Sequence, residues 1–321
     1  MKNRLRVFAP ASASNLGPGF DVLGLALEEP GDIVEAERSE ATGVEVVEVT
    51  GAPTLSTDPT QNTAAIAARA VLDRIEPGRR IGVRLWVHKR MPLASGLGSS
   101  AASSVAGAVV VNELCGGGLS RYALVECALE GEKAVSGTAH ADNVAPSLLG
   151  GIVLIRSSAP LDFVSLPVPE TLRIVVIHPH AQVRTSMARQ LVADRHFSIK
   201  QTVTNLGNVA AFVAALHSGD LRLFGRSIHD ALVEPIRAPL VPGFAEVKTA
   251  ALAAGALGCS ISGSGPSVFA FAAADSQVEI IAETMQEAFR QSGLTSDRFV
   301  GAVNTTGARV LSSEDEQETS N

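Results

Sequence analysis

The hydrophobic pattern of the chain switches repeatedly between a two-residue and a helical period, which is typical of a protein that mixes strands and helices. Val83, Leu85 and Val87 alternate with Arg84, Trp86 and His88, and this alternation predicts a strand. Residues 62–75 instead carry apolar side chains at helical spacing and predict a helix that starts at a capping Asn or Thr. The pattern therefore predicts a chain in which both kinds of element contribute to the core.

The same patterns predict the other elements of the chain. Strands are predicted by short apolar or alternating runs at 33–37, 43–51, 150–155, 172–177, 268–272, 300–303 and 307–311. Helices are predicted by amphipathic runs at 120–130, 186–193, 203–217, 221–231, 244–254 and 278–292.

The domain boundary is predicted where the sequence becomes rich in serine and proline, between Ser157 and Pro169. We therefore expect a first domain at residues 1–163 and a second domain at 164–311. The last residues, 312–321, are acidic and polar, and we expect them to form a disordered tail.

Composition narrows the classes of function. The chain has 321 residues, 46% of them hydrophobic, and a net charge of −7 without a basic patch. This balance argues against nucleic acid or an anionic membrane as a partner. The uncharged run at 91–112 contains a proline and several glycines and serines, so it predicts a loop and a buried helix rather than a membrane span. Three cysteines without a CxxC pair fit a reducing compartment, and we expect a cytoplasmic protein.

The most informative segment is PLASGLGSSAAS at residues 92–103, a glycine-rich turn that leads into a helix. The first amide groups of a helix lack internal partners and attract anions, phosphate above all. A Walker P-loop is excluded because the segment has no lysine. A dinucleotide fingerprint fits poorly, because MPLAS separates the glycines from the strand and no acidic residue follows at the required distance. An ordinary tight turn that packs a helix on a sheet is the remaining alternative.

Three segments together resemble the GHMP kinases, which phosphorylate small molecules. The loop at 92–103 resembles their P-x-x-x-G-L-G-S-S-A signature, PASASNLGPGFD at 10–21 their first motif, and SISGSGPS at 260–267 their third. The resemblance covers residues 5–310. It implies an α+β fold with a ribosomal protein S5 domain 2-like N-terminal domain and a ferredoxin-like C-terminal domain. It also implies an active site between the two domains that uses ATP and Mg²⁺.

Four strings are most similar to the branch of this family that phosphorylates L-homoserine, and they lie at 14–27, 137–151, 183–189 and 234–244. This substrate carries a carboxylate, an ammonium group and a primary hydroxyl. Arg189 and Arg237 are candidates for the carboxylate, because guanidinium matches it with two hydrogen bonds. Asp21 is the candidate for the ammonium group. The other expected substrate contacts are Asn15, Thr185 and Asn143, of which the resemblance puts Asn143 at the reacting hydroxyl.

The resemblance also assigns the nucleotide and the metal. Mg²⁺ is expected on Ser100 and Glu132, with Glu130 as an alternative to Glu132. Lys89 is either close to the nucleotide or part of a solvated strand end. The residues expected to bind ATP are Asn62, Pro92, Leu93, Ala94, Ser95, Gly96, Leu97, Gly98, Ser99, Ser100, Ala101, Ala102, Gly263 and Ser264.

The catalytic residues expected from the resemblance are Asn143, Ser100 and Glu132. Asn143 is an amide and cannot usefully take a proton, so we expect catalysis without a strong protein base, with Asp142 as the alternative base. Two other functions stay open: another GHMP kinase of mevalonate or shikimate type, and a non-catalytic sensor of the same fold. The resemblance also implies a possible homodimer.

Overall fold

The first sheet gathers strands from both ends of the chain. The computed structural model describes residues 3–77, 81–137, 139–273 and 275–312. The strands pair in the order β11-β1-β2-β4-β3, and a β5–β6 hairpin extends from β2. The strands of this sheet are β1 (Arg4–Ser14), β2 (Leu23–Ser39), β3 (Gly43–Thr50), β4 (Gly82–His88), β5 (Ile152–Ser158), β6 (Leu161–Leu166) and β11 (Arg309–Val310).

The second sheet is antiparallel and has four strands in the order β10-β7-β9-β8. Its strands are β7 (Arg173–Pro179), β8 (Gly258–Ile261), β9 (Val268–Ala272) and β10 (Ser296–Ala302). Numbered within this sheet, the order is 4-1-3-2, which is that of the ferredoxin-like fold. The α+β class and this second architecture agree with the expectation from the resemblance.

Helices cover both sheets. Helix α2 is the buried central helix of those that pack on the first sheet. It packs against α1, α3 and the strands β1 and β2. Alanine, serine and glycine on this helix allow that close approach: a Cβ on Gly107 would lie 2.3 Å from the Ala64 carbonyl oxygen. The helices are α1 (Thr63–Ile75), α2 (Ser99–Leu114), α3 (Arg121–Ser136), α4 (Ala141–Leu149), α5 (Thr185–Ala193), α6 (Ile199–Ser218), α7 (Leu221–Ser227), α8 (Glu234–Arg237), α9 (Phe244–Ala253) and α10 (Asp275–Gln291).

Several predicted elements differ from the observed ones. The long strand β1 and the helix α4 were not predicted, because turn formers hide the strand and Pro146 interrupts the helical pattern. The helix predicted at 221–231 ends at Ser227, because the backbone of Ile228 leaves the helical conformation, with φ −79° and ψ 64°. The boundary predicted between residues 163 and 164 falls inside β6, which pairs with β5 in the first sheet. Most of the predicted tail, 313–321, lies outside the described residues.

Candidate active site

Three segments far apart in sequence meet at one point of the fold. The Ser12 amide donates to the Leu97 carbonyl at 3.0 Å, and the Gly263 amide donates to the Ser14 carbonyl at 3.1 Å. The Ser262 hydroxyl donates to the Gly96 carbonyl at 2.7 Å. The first motif, the glycine loop and the third motif thus form one hydrogen-bonded unit.

A cavity of about 440 Å³ opens beside this unit. Among the residues predicted to bind ATP, Leu97, Ala101 and Ala102 do not line it, because their side chains are buried in the core. Pro92 lines a separate groove. The predicted residues that do line the cavity are Asn15, Asp21, Asn62, Leu93, Ala94, Ser95, Gly96, Gly98, Ser99, Ser100, Glu132, Asn143, Thr185, Arg189, Arg237, Gly263 and Ser264.

The glycine loop owes its shape to left-handed backbone angles. Gly96 has φ 78° and Gly98 has φ 65°. Both positions are also crowded: a Cβ would lie 2.4 Å from the Ser262 carbonyl oxygen at Gly96 and 2.1 Å from the Ser12 hydroxyl at Gly98. Gly98 is the N-cap of α2 and provides no side-chain cap. The first amide groups of α2 are therefore suited to receive an anion.

Asn62 holds the wall of the cavity by capping α1. Its side-chain oxygen accepts from the amides of Ala64 and Ala65, and its amide group donates to the Ser56 carbonyl at 3.1 Å. Leu55 and Ser56 line the cavity beside it. These contacts fix the helix start and the wall at this end of the cavity.

Two of the predicted substrate residues bind each other. Arg189 donates to both carboxylate oxygens of Asp21, at 2.9 Å and 2.8 Å. Asp21 has φ 60°, and its amide donates to the Asn15 side chain at 3.2 Å, which fixes the turn that carries it. A cation and an anion thus face the cavity as a bidentate pair from segments 168 residues apart.

Arg237 also lines the cavity and is only 3% exposed. It donates to the Gly263 carbonyl at 2.9 Å and lies 4.9 Å from the centre of the Phe20 ring. Burial lowers its pKa, but the pKa of an arginine is ordinarily so high that the group stays cationic at neutral pH. Arg189 lies against the same ring at 5.6 Å, so Phe20 contacts both cations.

Asn143 is held in one orientation by two serines of the first motif. The Ser12 hydroxyl donates to its side-chain oxygen at 2.9 Å, and its amide group donates to the Ser14 hydroxyl at 3.2 Å. The amide group also lies 3.3 Å from a carboxylate oxygen of Asp142. These contacts fix which end of the amide is the acceptor.

Asp142 is buried beside this amide. Burial raises its pKa to about 7, and the charge of Asp21 raises it as well, while His140 and Arg189 oppose this shift. The carboxyl group is therefore partly protonated at neutral pH, unlike an exposed aspartate.

Glu132 lines the cavity, whereas Glu130, two residues before it on α3, is exposed and points elsewhere. A carboxylate oxygen of Glu132 lies 3.0 Å from Nδ1 of His140, and these two atoms share a hydrogen bond. Burial disfavours the charged form of His140, but the hydrogen bond and the charge of Glu132 outweigh it and raise the pKa of the imidazole. Ser100 lines the same cavity at the start of α2.

The donor set for a metal is small. Within the described ranges, no group of three or more His, Cys, Asp or Glu side chains is arranged to hold an ion. One carboxylate and one hydroxyl suit Mg²⁺, which takes its other ligands from phosphate oxygens and water. The chemistry of Ser100 and Glu132 therefore fits a magnesium ion that arrives with a nucleotide.

Sequence reasoning missed two charged residues near the cavity, Arg184, which lines it, and the buried Asp32. Asp32 pairs with Lys89, which lines the cavity and is buried. Of the two alternatives for Lys89, the solvated strand end is therefore wrong, although Arg90 beside it is exposed. The only sequence signal was an acidic residue next to the predicted strand 33–37, and it did not indicate a partner 57 residues away.

Comparisons with known proteins agree with this site. The model of the GHMP kinases N terminal domain matches residues 62–151, and that of the GHMP kinases C terminal domain matches 212–291. A homoserine kinase of Chlorobium phaeobacteroides is 44% identical over 96% of this chain and 99% of its own length. One from Arabidopsis thaliana is 44% identical over 96% of this chain and 85% of its own.

A solved structure is also similar over nearly the whole chain. The crystal structure of homoserine kinase from Cytophaga hutchinsonii superimposes with a TM-score of 0.94 at 46% identity, covering 97% of this chain and 98% of that one. The chain belongs to the GHMP kinase family. Its branch within the family is that of the homoserine kinases, with which it shares over two fifths of its residues along nearly its full length.

Proposed function

We propose that this protein transfers the γ-phosphoryl group of ATP to the hydroxyl of L-homoserine, giving ADP and O-phospho-L-homoserine. The observation that carries the proposal is the pairing of a phosphate-type loop with an arginine–aspartate pair across one cavity. The name shared by the full-length relatives supports the same substrate. The product is a precursor for threonine, so the enzyme would act in the cytoplasm in threonine biosynthesis.

ATP binds with its phosphates at the glycine loop in this proposal. The backbone amides from Ser99 onward neutralise charge without any side chain, as helix starts do for phosphates. Ser100 and Glu132 would hold Mg²⁺, and the ion would supply positive charge to neutralise the phosphates during transfer. His140 keeps the Glu132 carboxylate in place.

The arginine–aspartate pair is complementary to an amino acid, because the substrate carries one charge of each sign. Each member of the pair can bind the substrate charge that is opposite to its own. The substrate ammonium would take a carboxylate oxygen of Asp21, and the substrate carboxylate would take Arg189 together with Arg237. A zwitterion thus inserts into the pair without leaving any charge unmatched, which limits the desolvation cost. Thr185, at the start of α5, also lines the cavity, and its hydroxyl lies 3.2 Å from that of Ser264.

Asn143 would orient the reacting hydroxyl. Its side-chain oxygen accepts one hydrogen bond from Ser12 and retains a second lone pair for the substrate hydroxyl. Because an amide does not take up a proton at neutral pH, the proton leaves late, to a phosphate oxygen. Phosphoryl transfer depends mainly on positioning and charge neutralisation, so this arrangement needs no strong protein base.

A substrate panel tests the proposal. Release of ADP is measured with ATP and Mg²⁺ and, in turn, L-homoserine, mevalonate, shikimate and galactose. We expect kcat/KM for homoserine to exceed the others by at least a hundredfold. A preference for mevalonate or shikimate would contradict the amino-acid pair, and nucleotide binding without any substrate-dependent ADP would favour the sensor.

A second copy of the chain is the partner that the resemblance implies. Three large apolar side chains of α6 are exposed at positions i, i+4 and i+7: Ile199 at 84%, Val203 at 61% and Leu206 at 64%. This spacing forms one apolar stripe along the helix, which a second α6 could cover. Light scattering at micromolar concentration should give a dimer, and Leu206→Glu should give a monomer. A monomeric wild-type protein would contradict the proposal.

A further inference from the structure

A buried ion pair lies directly beneath the glycine loop. Asp32 in β2 and Lys89, the residue that follows β4, lie opposite each other, because Ile33 pairs with His88 in the antiparallel register. Their side chains are 0% and 1% exposed. A pair of full charges removed from water in this way is costly, and an apolar pair of similar volume is often as stable. Its stability contribution therefore does not explain its presence.

Every polar atom of this pair has a partner in the described structure. The Lys89 ammonium donates to Asp32, to the Ser99 carbonyl at 2.8 Å and to the Ser103 hydroxyl at 2.9 Å. The Asp32 oxygen that binds Lys89, Oδ2, also accepts from the Ser103 hydroxyl at 2.7 Å. The other oxygen, Oδ1, accepts from the backbone amide of Arg90 at 3.0 Å. Three directional bonds thus join the ammonium to one strand, β2, and one helix, α2.

These bonds end on the first turn of α2. Ser99 is the first residue of that helix, and Ser103 lies one turn further along. The ammonium therefore ties the start of the helix to the sheet, and the carboxylate ties the ammonium to β2. The amide groups that face the cavity belong to this same turn, so their height above the sheet depends on the pair.

The positive charge of Lys89 by itself would destabilise the start of α2, since a cation near a helix N-terminus opposes the helix dipole. Asp32 offsets this by neutralising Lys89. The geometry is consequently that of a fixed spacer rather than of a free cation directed at a phosphate.

We propose that the Asp32–Lys89 pair positions the glycine loop for ATP, with Asp32 as a positioning residue that acts through Lys89 and the first turn of α2. The inference rests on the proposed ATP site. It does not depend on the identity of the phosphoryl acceptor, because ATP binding is measured without it.

The decisive variant is Asp32→Asn, which keeps the shape of the side chain and removes its charge. Titration calorimetry with ATP and Mg²⁺ measures the affinity. If Lys89 simply attracts phosphate, the freed ammonium should bind ATP as tightly as before or more tightly. If the pair is a spacer, ATP binding should weaken at least tenfold, and amide hydrogen exchange at residues 99–103 should accelerate. Unchanged or tighter binding would overturn the proposal.

The double variant Asp32→Asn with Lys89→Met separates position from stability. It leaves no unpaired buried charge, so we expect a melting temperature within a few degrees of wild type. ATP binding should still be at least tenfold weaker, while the homoserine KM stays within twofold. Wild-type ATP affinity in this variant would overturn the proposal, and so would a parallel rise of both substrates' KM.

Two further variants keep the test decisive if the charge variants fail to fold. Ser103→Ala removes one bond from each member of the pair and should weaken ATP binding two- to fivefold, whereas unchanged affinity would overturn the proposal. Arg74→Met is the matched control, because Arg74 binds Glu126 between α1 and α3 at 2.9 Å without touching the loop. It should bind ATP like wild type, and weaker binding would mean that loss of any ion pair disturbs the site.

Discussion

The glycine loop and the arginine–aspartate clamp (Asp21, Arg189 and Arg237) lie in one cavity but are built in opposite ways. The loop is one continuous segment, 92–103, that presents backbone amide groups. The clamp joins side chains from three distant segments, and its Arg189–Asp21 pair is 29% and 40% exposed. In the proposed complex, the backbone amides bind the phosphates of ATP, which all ATP-dependent kinases share, whereas the side chains bind the phosphoryl acceptor, which differs from one kinase to another.

This difference implies different tolerance to change. A site made of backbone amide groups has no side chain that a substitution could remove. It loses binding when a substitution adds atoms that displace the backbone. A site made of side chains loses affinity when a substitution removes a charge or the planar fork of a guanidinium group. The affinity for the other substrate should then stay the same. The predictions below separate the two regions by these criteria.

The largest effect is expected for Gly96→Ala. The new Cβ would meet the Ser262 carbonyl at 2.4 Å, and φ 78° is strained for alanine, so the loop must move. We expect kcat/KM for ATP to fall by about a thousandfold or more, measured as initial ADP release at varied ATP.

The control for that variant is Gly207→Ala in α6, where a Cβ meets nothing within 4 Å. It should keep wild-type kinetics and gain about 0.5–1 kcal/mol in unfolding free energy from reduced backbone entropy. Wild-type ATP kinetics in Gly96→Ala would show that the loop is not the phosphate site.

Arg189→Lys should break the clamp alone. Lysine keeps the charge but loses the planar fork that makes two bonds, which is worth about 1.5–3 kcal/mol, or roughly 10- to 150-fold in kcat/KM for homoserine. ATP affinity measured by calorimetry should stay within twofold. Equal losses for both substrates would mean that loop and clamp are not separable.

Asp142→Asn tests the base-free mechanism, and we expect kcat to fall by less than tenfold. A loss of about a thousandfold or more with folding intact would instead identify Asp142 as the base. The measurement is steady-state ADP release at saturating ATP and homoserine, with circular dichroism to confirm folding.

The same substitution should change the pH dependence of stability. Burial raises the pKa of Asp142 from 3.8 to about 7, so between these values the folded chain keeps a proton that the unfolded chain has lost. Stability contributed by this group is full below pH 3.8 and is lost as the pH rises to about 7. Melting temperatures of wild type should therefore fall relative to Asp142→Asn over this interval and run parallel above it. Parallel curves throughout would contradict the raised pKa.

The smallest effect is expected for Phe20→Leu. Its ring contacts Arg237 at 4.9 Å and Arg189 at 5.6 Å, and cation–π contacts of this kind are worth about 0.5–1 kcal/mol each. We expect a three- to tenfold rise in the homoserine KM with an unchanged KM for ATP. A matched Phe163→Leu variant, whose ring stacks on Tyr122 away from the cavity, should leave both values unchanged.

The sequence predicted the loop better than its surroundings. Most strands and helices, such as α1 and β4, follow from periodicity, and their positions are confirmed. The strand β1 escaped because PASAS is a turn-like composition that becomes a strand only when both faces are covered. The sequence located the glycine loop correctly, but it did not show which residues of the loop line the cavity. That depends on tertiary packing, which buries Leu97 and Ala101 in the core.

What the sequence alone determined is the chemistry of the parts: a glycine turn at a helix start, two arginines and an aspartate. These are local properties, set by backbone freedom and by side-chain charge. Only the tertiary structure decided that Arg189 binds Asp21, that Lys89 is buried on Asp32 and that the Asp142 carboxyl is partly protonated at pH 7. Each depends on which distant groups share one poorly solvated space, because distance and solvation set the strength of a charge interaction and neither is written in the spacing of residues along the chain.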